Sequence, residues 1–269
     1  MPKKPDFQFN TKADFSSLYE IIETLRGEGG CPWDRKQTPE TLKKYLIEEA
    51  YEAYEAISKG LANEVKEELG DLLFLLLFIV YLYEEKGDFT LRDLLYLTFQ
   101  KMIRRHPHVF GEEVAKSAED VLSKWQKIKE REGKSDSVLG NIPRSLPALQ
   151  RAYRIGERAG RVGFDWKNPE DLFPKLEEEI KELKEALGKG EKEKISEELG
   201  DLLFTVANLS RKLGINPEEA LKATLDKFER RFKEMEKIVK EKGLSLENLS
   251  LEEMDLLWEK IKEKENDSH

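Results

Sequence analysis

The chain has 269 residues, 38% of them charged, and carries a formal net charge of −9 at pH 7. This excess of acidic groups disfavours a stable complex with nucleic acid, because nucleic-acid phosphates carry the same sign. The single cysteine, Cys31, excludes an intrachain disulfide and is typical of a protein from a reducing cytoplasm.

Helical periodicity, punctuated by glycine and proline, runs through the whole chain and predicts an all-α fold. Thr38 followed by Pro39 has the pattern of a helix N-cap followed by the first helical residue. In the first half, helices are predicted at 14–27, 39–58, 63–86 and 90–105, with a further helical segment at 117–131.

The longest apolar run occupies residues 72–83, within the third of these helices. Its 12 residues are fewer than the roughly 18–20 that a membrane span needs. The N-terminal residues also lack the apolar region of a signal peptide, so we expect a cytoplasmic protein with no membrane partner. Because the run is apolar all around the helix, we expect it to lie at the contact of a homodimer.

A repeat divides the sequence into two related halves. The octapeptide EELGDLLF stands at 67–74 and again at 197–204, an offset of 130 residues. The segment between the halves, 132–147, is rich in glycine, proline and serine. We therefore predict a first helical domain at 1–131, a linker at 132–147 and a second helical domain at 148–269.

Each half carries two pairs of carboxylates on consecutive predicted helices. The members of a pair are three residues apart, so both project from one helix face, and the short loop between the helices predicts a hairpin that brings the pairs together. A solvated acidic face is the alternative interpretation, but these acids continue the apolar stripe of each helix. The eight residues are Glu49, Glu52, Glu68 and Asp71 in the first half and Glu179, Glu182, Glu198 and Asp201 in the second.

Carboxylates that are gathered in an apolar stripe cost several kcal/mol each if nothing compensates their charge. They must therefore take up protons or surround a cation. A site made only of carboxylate oxygens favours a hard divalent ion, Mg²⁺ or Mn²⁺.

The stripe of the second half is more polar than that of the first. Lys175, Thr205 and Asn208 stand where the first half has Tyr45, Leu75 and Phe78. Polar groups and a lysine near a metal suit a ligand that carries phosphate, so the pattern favours the second half as the main catalytic site.

The pattern EE-x-x-E followed by E-x-x-D resembles the signature of the MazG-type nucleoside triphosphate pyrophosphohydrolases. It stands here as EEAYE (48–52) with ELGD (68–71), and as EEIKE (178–182) with ELGD (198–201). The resemblance covers nearly the whole chain and extends to CPWD at 31–34, RRHPHVFG at 104–111 and VGFDW at 162–166.

The resemblance implies a homodimer of tandem all-α MazG-like bundles. It also implies Mg²⁺-dependent conversion of a nucleoside triphosphate to the monophosphate and pyrophosphate, with a broad-specificity role in cleaning the nucleotide pool. By this likeness the four acids of the second half hold metal. The groups that contact the substrate are Lys175, Lys194, Lys227 and Arg231 for the phosphates and Trp258 for the nucleotide.

The first half matches this pattern only in part. Its four acids are in place, so the likeness implies metal binding there too. Tyr45 and Glu64 replace the lysines of the second half, which argues against nucleotide binding in the first. The remaining matches to the substrate-binding set are Lys101, Arg105 and Trp125.

A carboxylate that is not committed to metal could accept the proton of the attacking water. Glu178, or Glu48 in the first half, lies next to a predicted ligand and is our hypothesis for this base. Two other functions remain open: a relative specific for deoxyuridine triphosphate or phosphoribosyl-ATP, and a non-catalytic helical protein that binds a partner through 72–83. The second is disfavoured because both halves keep all four acids.

Overall fold

The computed structural model describes residues 15–118, 120–121, 124–125, 128 and 137–266. These residues form helices, turns and loops, and none of them lies in a β-strand, so the predicted all-α fold is confirmed. The chain falls into two compact units, Met1–Ile128 and Lys129–His269. No described helix is both long and apolar enough to cross a membrane.

The helices of the first unit begin and end within two residues of their predicted bounds. The side chain of Thr38 accepts a hydrogen bond from the backbone N–H of Thr41, so the predicted N-cap is confirmed. The predicted segment 117–131 lies partly outside the described residues. The helices are α1 (Phe15–Arg26), α2 (Pro39–Lys59), α3 (Ala62–Glu85), α4 (Leu91–Arg105) and the short α5 (Pro107–Phe110).

The core of the first unit lies between α1, α2 and α3. Gly60 ends α2 with a φ of 69°, in the left-handed region that favours glycine, and turns the chain directly into α3. The apolar run 72–83 supplies much of this core, which contains Ile22, Leu42, Leu75, Leu77, Phe78 and Leu82. Leu73 and Leu76 of the same run remain exposed. The run therefore builds the interior of its own unit, and its place at a dimer contact stays a prediction.

The second unit repeats the helical hairpin. Gly190 has a φ of 69° and plays the part that Gly60 plays in the first unit. The described part of the predicted linker, residues 137–147, contains no helix. The helices are α6 (Ala148–Gly160), α7 (Phe173–Lys189), α8 (Lys192–Lys212), α9 (Pro217–Glu241) and α10 (Leu251–Asn266).

A polar network joins α6 to α8 where Gly156 faces Asn208. A Cβ atom on Gly156 would lie 2.0 Å from Oδ1 of Asn208, so only glycine fits there without a shift. Asn208 is 1% exposed, donates to the carbonyl of Phe204 at 3.0 Å and accepts from Nε of Arg211 at 3.2 Å. The guanidinium of Arg211 in turn donates to Asp165, which holds the pKa of that carboxyl below its usual value. Helix packing thus accounts for the polarity of Asn208.

Candidate metal and phosphate site

Three of the four predicted acids of the second unit converge between α7 and α8. Glu179, Glu182 and Glu198 each offer a carboxylate oxygen, and these oxygens lie within 4.8 Å of one another. Glu179 and Glu198 are each only 3% exposed. Asp201 is exposed and stands outside this group, so the structure gathers three of the four acids rather than all of them.

Two lysines neutralise the buried acids of this cluster. Nζ of Lys175 lies 2.9 Å from Oε1 of Glu179 and 2.9 Å from Oε1 of Glu178. These bonds raise the pKa of Lys175, the bond to Glu179 contributing most. Nζ of Lys194 lies 3.3 Å from Oε1 of Glu198, which raises the pKa of that lysine in the same way.

Glu182 shows the effect of desolvation and of repulsion between the acids of this cluster. Its pKa is raised first by desolvation and then by the charges of Glu198, Glu178 and Glu179, while Lys175 acts in the opposite direction. Like charges held together in a partly dry site favour the protonated acid. A cation placed between the oxygens would reverse that preference.

The first unit gathers a corresponding cluster between α2 and α3. Oxygens of Glu49, Glu68 and Asp71 lie within 4.8 Å of one another. Glu52 stands outside this set of three, yet its charge contributes to raising the pKa of both Glu49 and Glu68, after desolvation. The two units therefore select different sets of three from the same four positions.

The first cluster lacks the two lysines that accompany the second. Tyr45 and Glu64 occupy the positions of Lys175 and Lys194. In the part of the chain that the structure describes, no lysine or arginine forms an ion pair with Glu49, Glu52, Glu68 or Asp71. Oε2 of Glu49 is buried and, among those residues, has no hydrogen-bond partner. An oxygen that is dry, unpartnered and surrounded by other carboxylates suits a divalent cation.

The two acids proposed as the general base lie at the edge of the clusters. The side chain of Glu178 is 54% exposed and is held by Lys175 at 2.9 Å. Glu48 is exposed, and its charge contributes to the raised pKa of Glu49. Both positions leave a carboxylate near the metal ligands but open to water.

An arginine–tryptophan pair recurs in the two units. The guanidinium carbon of Arg231 lies 6.0 Å from the ring centre of Trp258, and that of Arg105 lies 5.9 Å from Trp125. Such geometry is a weak cation–π contact. Each pair therefore presents a positive charge beside an aromatic face, the combination that we expect of a nucleotide-binding group.

The predicted phosphate-binding groups outside the hairpins are less closely tied to the acids. Lys227 is exposed and Lys101 is half-buried. Among the described residues of the second unit, no hydrogen bond or ion pair joins Lys227, Arg231 or Trp258 to the acidic cluster. Their role in binding the substrate stays a prediction.

Sequence reasoning missed the acid that positions Arg231. Glu265 on α10 accepts from Nε of Arg231 at 2.8 Å and also bonds Arg230, and these bonds lower the pKa of Glu265. No spacing rule on α9 alone could have identified this partner, because the two residues meet only when α10 packs against α9.

Comparison with known proteins gives a consistent result for both units. The MazG nucleotide pyrophosphohydrolase domain matches this chain twice, at residues 37–110 and 167–235. Each match contains one helical hairpin with its four acids.

Several named proteins are similar along nearly the full chain. The nucleoside triphosphate pyrophosphohydrolase/pyrophosphatase MazG of Thermotoga maritima is 48% identical over 92% of this chain and 95% of its own. The nucleoside triphosphate pyrophosphohydrolase of Escherichia coli K12 is 42% identical over 93% of this chain and 97% of its own. The uncharacterized protein YabN of Bacillus subtilis is 43% identical over 95% of this chain, which spans 53% of that protein.

Proposed function

Because this chain belongs to the MazG family of nucleotide pyrophosphohydrolases, we propose that it hydrolyses nucleoside triphosphates to the monophosphate and pyrophosphate. The similar proteins of Thermotoga maritima and Escherichia coli are named for this activity. We propose Mg²⁺, with Mn²⁺ as a substitute, as the metal ion, since the clusters offer only carboxylate oxygens.

The observation that carries the proposal is the pairing of buried acids with lysines in the second unit. Glu179 and Glu198 provide negative charge for a metal, and Lys175 and Lys194 stand at the same place with positive charge for phosphate. A site that offers both charges can hold both parts of a metal–triphosphate complex. We therefore assign catalysis to the second unit.

The metal ligands proposed there are Glu179, Glu182, Glu198 and Asp201. A bound Mg²⁺ neutralises charge on the phosphate oxygens and lowers the pKa of a coordinated water. The protein's part is to orient the triphosphate through Lys175, Lys194, Lys227 and Arg231 and to place Trp258 against the nucleotide. Asp201 is exposed, so it would have to turn toward the metal when the complex forms.

Glu178 is the proposed general base of this site. It lies beside the metal ligand Glu179 and is exposed enough to reach a water molecule. Its bond to Lys175 must be released before the carboxylate can accept a proton. Transfer of Lys175 to a phosphate oxygen would provide that release.

In the first unit we propose metal binding by Glu49, Glu52, Glu68 and Asp71 without catalysis. Lys101, Arg105 and Trp125 repeat part of the substrate-binding set, and Glu48 corresponds to Glu178. The absence of Lys175 and Lys194 counterparts removes the two phosphate contacts that lie nearest to the acids.

A homodimer in the cytoplasm remains part of the proposal. Exposed apolar side chains on α4 support it, because a patch of this kind on a soluble protein commonly marks a contact with another chain. They are Leu94, Leu95, Tyr96, Leu97, Phe99, Met102 and Ile103.

Product analysis tests the proposed reaction. Purified protein is incubated with Mg²⁺ and a panel of canonical, deoxyuridine and damaged nucleoside triphosphates, and the products are separated by ion-exchange chromatography. We expect monophosphate and pyrophosphate from several bases, and loss of both products in Glu198→Ala. Formation of diphosphate and inorganic phosphate, or full activity of Glu198→Ala, would contradict the proposal.

Light scattering of the same preparation reports its mass, and a monomer at micromolar concentration would count against the dimer.

A further inference from the structure

In the second unit the two lysines pair with carboxylates that a cation would also need. Lys175 takes one oxygen of the buried Glu179, and Lys194 takes one oxygen of the buried Glu198. A divalent ion that entered between these acids would compete with both ammonium groups for the negative charge of the carboxylates. It would also stand a few ångströms from two positive charges, which repel it.

A triphosphate removes both obstacles at once. Its oxygens give the two ammonium groups a new anionic partner, so the carboxylates become free for the metal. The metal in turn neutralises the triphosphate, whose charge would otherwise be repelled by the acids. Each ligand therefore makes the binding of the other more favourable.

We infer that Lys175 and Lys194 make metal binding in the second unit conditional on the triphosphate, whereas the first unit binds the same ion alone. This inference rests on the proposed function, because it concerns the substrate of that reaction. The two lysines act here as positioning residues that exchange a carboxylate partner for a phosphate partner.

The first unit supplies the contrast within the same chain. At the two lysine positions the first unit has Tyr45 and Glu64, and among the described residues no lysine or arginine forms an ion pair with its four acids. Oε2 of Glu49 is buried without a hydrogen-bond partner in the described part of the chain. Within that part of the chain, metal binding would displace no ion pair of these acids and would relieve the repulsion between the carboxylates.

The coupling can be measured either through the affinity for the metal or through the affinity for the triphosphate. If the triphosphate strengthens metal binding by some factor, the metal must strengthen triphosphate binding by the same factor. Couplings between two ligands on one protein commonly reach about 5- to 150-fold. We expect the coupling factor of the second unit to lie within or above that range, because both lysines must exchange their partners.

The experiment is calorimetric titration with Mg²⁺ in a Glu49→Gln background, in which the first site is disabled and only the second unit reports. Titrations are run with and without an α,β-methylene triphosphate analogue, which resists cleavage between the α and β phosphates. A protein-free titration measures the binding of Mg²⁺ to the analogue itself, and this contribution is removed before the affinities are compared. We expect weak binding of Mg²⁺ alone and at least about tenfold tighter binding with the analogue.

The chain itself provides the decisive variant. Lys175→Tyr with Lys194→Glu gives the second unit the residues of the first, and we expect this protein to bind Mg²⁺ without the analogue. Lys181→Tyr is the matched control, since Lys181 lies on the same helix and pairs only loosely with Glu185, at 3.9 Å. The Mg²⁺ affinity of this control, with and without the analogue, should equal that of the Glu49→Gln parent. Lys175→Gln alone serves as a milder variant if the double change disturbs folding, which circular dichroism reports.

The outcomes separate this inference from the proposed function. Equal Mg²⁺ affinity with and without the analogue, in a protein that still releases pyrophosphate, would overturn the coupling and leave the proposed function intact. A wild-type protein that releases no pyrophosphate would overturn the proposed function and the coupling with it. Unaltered Mg²⁺ binding in the double variant would also overturn the role assigned to the lysines.

Discussion

The two hairpins of this chain share a backbone plan and four acidic positions, yet they compensate the charge of those acids in different ways. In the second unit each of the buried acids Glu179 and Glu198 has a lysine partner. In the first, a buried oxygen of Glu49 has no partner among the described residues. The comparison teaches that the acids alone do not distinguish the two units, whereas the residues that balance their charge do.

The units also differ in how their helices pack. The first unit fills its interior with Phe78 and other apolar side chains. The second places Asn208 at the corresponding position and closes on it with Gly156 and Arg211. The two units therefore share the hairpin, while a polar network in the second stands where the first has the apolar Phe78.

The largest expected effect on stability tests this difference in packing. Gly156→Ala would force a Cβ atom to 2.0 Å from Oδ1 of Asn208, and overpacking of this kind costs about 2 kcal/mol or more. We expect a clear fall in the free energy of unfolding, measured by urea denaturation. Gly188→Ala is the control, because nothing lies within 4 Å of the Cβ position there. That helical change should be neutral or stabilising, and equal losses in the two variants would contradict the account.

A smaller effect concerns the acid dependence of the second unit. The pKa of Asp165 is lowered in the folded protein because Arg211 donates to it. Its contribution is therefore present above the ordinary aspartate pKa of about 4 and is lost as pH falls through the lower value of the folded state. Asp165→Asn should lower the free energy of unfolding by roughly 1 kcal/mol at neutral pH. The difference from wild type should shrink in acid, and one that grew as pH fell would contradict this assignment.

Much of the hairpin architecture could be predicted from the sequence. The repeated octapeptide fixed the position of the second unit relative to the first, and glycines at 60 and 190 marked both turns. The i, i+3 spacing correctly predicted that acids from consecutive helices would meet, because one helix face presents residues three apart. The polar stripe drew attention to Lys175, which the structure places 2.9 Å from Oε1 of Glu179, while its contact with phosphate stays a prediction.

Other features depend on contacts that spacing cannot specify. Asp71 joins the first cluster whereas Asp201 stands outside the second, although the two occupy identical octapeptides. An identical local sequence therefore does not decide which acids converge. Asn208 was expected near a phosphate, but it packs against Gly156 on another helix. The pairing of Arg231 with Glu265 likewise needs α10 to pack against α9.

The central claim is that hydrolysis belongs to the second unit because Lys175 and Lys194 accompany its acids, whereas Tyr45 and Glu64 stand at these positions in the first. Pyrophosphate release by two matched variants, Glu179→Gln and Glu49→Gln, tests it most directly. We expect kcat/KM to fall about 100-fold or more in Glu179→Gln, the scale of losing charge stabilisation in a transition state. Glu49→Gln should stay within about twofold of wild type, as for a site independent of the reaction. Loss of activity in Glu49→Gln with activity retained in Glu179→Gln would contradict the assignment.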